Sequence, residues 1–157
     1  MQTNDADFTS LNEKLLNAIE NEKLMESMIS IENKEDIHFD GDKALHIAIK
    51  NNDYDSAELL LQYDAIIDDG MMRTIARNRN LKMLDLVSRY VTEYQGDIDH
   101  RLQIAVYKYN GDIKSQNIIK ELIRDGANIN SDDEFVVYLA DLKGDEIIQK
   151  ILMQSIH

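Results

Sequence analysis

The chain has no cysteine, no proline and only six glycines in 157 residues. Without cysteine there can be no disulfide, no thiolate metal site and no cysteine nucleophile, which fits a reducing compartment. Sandwiches and barrels need many tight turns, and turns draw on glycine and proline, so helices are the economical reading. Positive charge is also short: 17 Lys and Arg stand against 30 Asp and Glu, a net charge of −13. Phosphate neutralisation requires clustered positive charge, so direct binding of nucleic acid or of an anionic membrane surface is not expected. No stretch approaches the roughly 18 consecutive apolar residues of a membrane span. The first ten residues carry two acids, no base and no apolar run after them, unlike a secretory leader. The expectation is a cytoplasmic chain. Its hydrophobic content of 43% supports a folded domain long enough to bury a core.

What is present is helical periodicity in short blocks, each too short to be stable alone. The runs Lys43–Lys50 and Ser56–Ala65 form two apolar stripes broken by Asn51-Asn52-Asp53, the pattern of two helices joined by a turn. The end of that unit recurs as Ile118–Asn130, where Gly126 can supply the left-handed residue that stops a helix. Self-similarity at about 30 residues is the signature of a solenoid.

Ala44-Leu45-His46-Ile47-Ala48 resembles the ankyrin box Thr-Pro-Leu-His-x-Ala, and Asp125–Asn130 resembles the closing loop of that repeat. The resemblance implies an all-α, ankyrin-like solenoid of stacked helix-turn-helix repeats with short or truncated finger loops. It implies a single repeat domain over 11–157, with residues 1–10 as an acidic segment beside or within the cap. Five units follow, at about 11–40, 41–69, 70–98, 99–130 and 131–157. The first is degenerate (Leu15, Ala18, Ile19, then Leu24, Met28, Ile29) and the third lacks a closing Gly-Ala. The fourth carries about three to five extra residues near Asn110-Gly111, and the fifth keeps Val137 and Ala140. No unit has the Thr-Pro, so its turn and hydrogen bonds must be weaker or replaced, and an irregular stack with uneven curvature is expected. Met71, Met72 and Met83 sit at core spacing.

The charge is uneven. Residues 1–40 hold 3 bases and 10 acids, 41–90 hold 7 and 8, 91–130 hold 5 and 6, and 131–157 hold 2 and 6. Acidic ends suit the polar caps of a repeat stack and point to a monomer. Ankyrin proteins bind through a concave face built from finger tips and first-helix ends. Carried over residue by residue, the resemblance puts partner binding on Asp40, Asp42, Lys50, Asn51, Arg77, Asn78, Tyr107, Lys108 and Lys143. Acids at Asp68, Asp69, Asp97, Asp99, Asp132 and Asp133 would form a rim beside the basic ends. Such an arrangement fixes a partner's register more than it adds affinity. The helix dipole also favours bases at these C-termini.

No catalytic, cofactor or metal site is expected. His46 reads as a structural residue of the box, since no matched nucleophile accompanies it. His38, His100 and His157 show no ligand spacing and read as isolated surface residues. The acidic stretches 36–42 and 128–134 do not fit a calcium loop. The resulting expectation is a non-catalytic module binding a partner protein or peptide. Richness in Ile, Asn, Lys and Asp suits an AT-rich genome, and hence a host-directed effector of an intracellular bacterium or large DNA virus, acting in the host cytosol. The alternative is an acidic decoy that imitates nucleic-acid charge and occupies a basic protein.

Overall fold

In a computed structural model, residues 5–21 and 37–155 are described; Leu24, Met25, Met28, Ile29 and His157 lie outside them. The described residues form nine helices and no strand: α1 (Asp5–Glu20), α2 (Phe39–Lys50), α3 (Tyr54–Gln62), α4 (Asp69–Arg77), α5 (Leu81–Tyr90), α6 (Ile98–Lys108), α7 (Ile113–Arg124), α8 (Ser131–Lys143) and α9 (Glu146–Gln154). The protein is an all-α helical repeat, and its third unit has both helices. Contacts divide the chain into two compact units, Met1–Ile67 and Asp68–His157.

Aspartate and asparagine start the helices. Asp53, Asp68, Asn80, Asp97, Asp112 and Asp145 each accept a first-turn N–H, at 2.7–3.2 Å. Caps of this kind contribute about 1 kcal/mol each, so many acids have a local structural use before any question of solubility. Helix ends follow one recipe. A left-handed residue at Asn52, Asp64, Arg79 or Gly126 lets the next N–H reach back five residues, to the carbonyls of Ala48, Leu60, Ile75 and Leu122. Only one of these four is glycine, so sparse glycine does not prevent tight helix ends.

In the first unit α2 packs against both α1 and α3. Leu15 and Ile19 of α1, Leu45 and Ile49 of α2, and Leu60 of α3 are buried. The small Ala44, Ala48 and Ala57, also buried, allow close approach. In the second unit α6 packs against α4, α5, α7 and α8. The helix α4 packs directly on α8 as well, so the three first helices α4, α6 and α8 are mutual neighbours. A straight solenoid brings each repeat against its sequence neighbours alone; here the first helices draw together. Met71, Met72, Met83, Leu84, Leu102, Ile119 and Phe135 fill the core.

Two details correct the sequence reading. The turn before α7 spans Tyr109–Asp112, four residues against the three of Asn78–Asn80, so most of the extra length is helix. Accordingly α7 has 12 residues where α3 has nine. In the last repeat the inward residues are Phe135, Val136, Leu139 and Ala140, with Val137 half-buried. A left-handed turn at Asp132, Asp133 and Glu134 sets the helix register that selects them.

Candidate partner-binding site

In the first unit the expected binding residues divide into exposed and buried. Lys50 and Asn51 end α2 in solvent, and Asp40 is exposed beside Lys43 at 3.6 Å. Asp42 does not belong to an outer rim. It is buried, and its Oδ1 accepts from the Ile66 N–H at 3.0 Å and faces His38 Nδ1 at 2.8 Å.

The second unit repeats that use of aspartate. Asp69 accepts from the Asp97 N–H at 2.8 Å, and Asp99 from the Asn128 N–H at 2.6 Å. Asp42, Asp69 and Asp99 each stand three residues before a buried helical residue, Leu45, Met72 or Leu102. Each holds the backbone of the loop that closes its own repeat. This ladder supplies the turn-fixing hydrogen bonds for which the chain has no Thr-Pro.

The basic ends are tied as well. Arg77 Nε lies 3.9 Å from Asp132 Oδ1. Lys108 Nζ donates to the Val91 carbonyl at 3.3 Å, and Lys143 Nζ to the Tyr109 carbonyl at 3.1 Å, 5.8 Å from the Tyr107 ring. The Tyr107 hydroxyl donates to Asp85 at 2.6 Å. Burial, that bond and the Asp85 charge push its pKa up to about 12. Asn78, the cap after α4, is exposed. These heads remain at the surface, held in fixed positions by bonds to neighbouring repeats.

The strongest polar cluster was not visible in the sequence. His100 is no surface histidine: its side chain is 3% exposed, with Nδ1 2.9 Å from Asp69 Oδ1 and Nε2 2.9 Å from Asp132 Oδ2. Gln103 Nε2 donates to the same Asp132 oxygen at 2.8 Å. Three successive repeats meet at this imidazole. Both contacts are hydrogen bonds only when both ring nitrogens carry protons. Burial pushes the Asp69 carboxyl upward, but hydrogen bonds from Tyr94, His100 and the Asp97 N–H, with the His100 charge, bring it down to about 2. The Tyr94 phenol is pushed well above its ordinary range by burial and by its bond to Asp69. No ring nitrogen of His100 is left for a substrate, so the cluster has the form of a clasp and not of a general base. Among the described residues no group of three or more His, Asp or Glu is arranged to hold a metal. No described helix is long and apolar enough to cross a membrane.

Residues 40–70 match the family described as Ankyrin repeat. The matched segment is α2, its turn, α3 and the closing loop, the hairpin held by Asp42 and Ile66. Over that segment the chain is similar to an ankyrin repeat. Comparison with curated proteins gives no match. Ankyrin repeats are generally protein–protein interaction modules and typically non-catalytic, and the matched segment is one such repeat.

Proposed function

We propose that the chain is a non-catalytic module that holds a partner protein or peptide through the ends of its first helices. Lys50 and Asn51 would do so in the first unit, with Asp40 beside them; Arg77, Asn78, Tyr107, Lys108 and Lys143 would do so in the second. The observation that carries the reading is the ankyrin match over 40–70. The positional restraint of Lys108 and Lys143 supports it, because a head already held in place loses less entropy on binding. A more specific form, a host-directed effector or modulator acting in a host cytosol, rests on the chain's Ile, Asn, Lys and Asp richness. The acidic-decoy reading rests on the −7 of residues 1–40 and the −4 of 131–157, yet many described acids are turned to backbone N–H groups in caps and ladder.

The test is affinity capture from a eukaryotic lysate with wild type beside a Lys50→Glu, Lys108→Glu variant, after circular dichroism shows equal helicity. Arg77 is left intact because a glutamate there would face Asp132. A protein held by wild type and lost from the variant is the expected result. Equal retention by both would withdraw the helix ends as the site. Retention that collapses between low and moderate salt, whatever stands at Lys50 and Lys108, would favour the decoy.

A further inference from the structure

The inward draw of the first helices in the second unit has an outer counterpart. The close helix pairs there are α4–α5, α4–α6, α4–α8, α5–α6, α6–α7, α6–α8 and α8–α9; the second helices α5 and α7 do not form such a pair with each other. Between the loop after α5 and the α6–α7 hairpin lies an open slot of about 350 Å3. Ile104 of α6 and Ile118 and Leu122 of α7 give it an apolar lining. Ile118 remains 43% exposed. Arg101 and Lys108, placed three residues before and four after Ile104, add two cations, and Glu93 of the loop adds one acid. The slot therefore carries a net +1 in a chain of −13.

Arg101 is the telling residue. Its Nε is buried without a hydrogen-bond partner, and among the described residues no acidic side chain pairs with its guanidinium. The residue as a whole is half-buried and lines the slot, so its unpaired guanidinium can meet an incoming carboxylate in a charge-assisted bond of the stronger kind. The wall beside it offers apolar surface at one helical spacing. A side chain presented by a polypeptide needs no full enclosure, so an open slot of this size suits one.

We infer that this slot seats a segment of the partner protein in which an aliphatic side chain neighbours a carboxylate, the aliphatic group on Ile104 and Ile118 and the carboxylate at Arg101. The inference rests on the reading of the chain as a protein-binding module and extends the contact from the α6 end at Lys108 to the loop and second-helix side of the fourth repeat. It also accounts for how so acidic a protein can select an acidic segment.

The experiment is a methyl-detected NMR titration of the full chain, labelled at isoleucine, with the blocked peptide Ac-Glu-Leu-Leu-Glu-NH2 and its Gln and Lys analogues. The Glu peptide is expected to give saturating shifts at Ile104 and Ile118, with affinity about 10-fold weaker for the Gln analogue and for Arg101→Gln. Ile118→Glu, at an exposed position, is a second variant that keeps the fold and should abolish the shifts. Equal shifts with all three peptides, unmoved Ile104 and Ile118 methyls, or unchanged affinity in Arg101→Gln would overturn the assignment. So would shifts at those methyls with octanoate but not with the Glu peptide, which would mark a small-molecule site. Loss of capture by Lys50→Glu alone, a residue outside the slot, alongside a silent slot would remove this inference and leave the module reading standing.

Discussion

The repeat at 40–70 and the repeat built on α6 and α7 solve the same packing problem with different chemistry. The first buries Ala44, Leu45, Ala48 and Ile49 along α2 and fixes its closing loop through one aspartate, Asp42. The hydrogen bond that closes it lies within the repeat itself, and its packing against α1 is apolar, through Leu15 and Ile19. The second buries His100 and Gln103 on α6, and their partners, Asp69 and Asp132, come from the repeats on either side. A repeat with an apolar stripe and local caps can be recognised one unit at a time. One that substitutes a buried polar clasp for part of that stripe depends on residues that its own sequence window does not contain.

The largest test of this contrast is His100→Ala. It leaves Asp132, whose side chain is 5% exposed, facing a gap where a cation or donor stood. Breaking a buried charge-assisted contact from one side costs about 3 kcal/mol. His46→Ala in the matched repeat, at a half-buried site of α2, should cost about 1 kcal/mol or less. Urea denaturation of the two variants beside wild type reads both values. Equal losses would mean that the clasp adds no more than an ordinary half-buried side chain, and the contrast would fail.

The ladder sharpens the comparison from the other side, because it is common to both regions. Asp42 is buried and Asp99 half-buried, yet each receives a loop N–H from its own repeat. Asp42→Ala should cost about 2 kcal/mol, because it removes a buried carboxylate that accepts from the Ile66 N–H, and Asp99→Ala about 1 kcal/mol, since at a half-buried position water can replace the lost acceptor. If Asp99→Ala proves the more damaging, burial is not what sets the value of a rung.

A pH titration isolates the rung that also belongs to the clasp. The folded-state pKa of Asp69, about 2, is below the ordinary 3.8. Its ionised form thus contributes stability that is present above about pH 4 and disappears as the pH falls toward 2. Asp69→Asn should be less stable than wild type at neutral pH, with the difference shrinking across that window. A difference that stays constant from pH 5 to pH 2.5 would show that the carboxylate charge has no part in the contact.

These residues also mark how far the sequence could be read. Helix content, the paired helices of the second, third and fourth repeats and the burial of Met71, Met72 and Met83 follow from apolar spacing, a local property. Lys50 and Asn51 were placed correctly at an exposed helix end because a helix terminus is local too. The clasp was not legible: His100 lies 31 residues from Asp69 and 32 from Asp132, and nothing in its own window separates it from a surface histidine. Its neighbour Gln103 carried the available signal, a polar residue directly after the inward Leu102. The acidic rim was misread for a related reason. Aspartates that bond a distant backbone N–H look, in sequence, like solvent-facing charge.

The smallest expected effect concerns the helix ends, where the two regions should behave alike. Asp64 closes α3 with φ 67°, and Gly126 closes α7 with φ 107°. The N–H groups that follow them, of Ala65 and Ala127, reach back to Leu60 and Leu122 in the same way. An L-residue in this conformation carries about 1 kcal/mol of strain that glycine avoids, and glycine returns part of that gain through its larger unfolded-state entropy. Asp64→Gly should therefore stabilise the protein by about 0.5 kcal/mol, and Gly126→Ala should destabilise it by about 1 kcal/mol, both read from denaturation midpoints at constant slope. No atom lies within 4 Å of a Cβ added at Gly126, so the second loss would come from the backbone angle and not from crowding. Opposite signs at the two positions would show that one local rule ends both helices, however differently their repeats are held. A destabilising Asp64→Gly would instead mean that the Asp64 side chain contributes more to its turn than the left-handed angle costs.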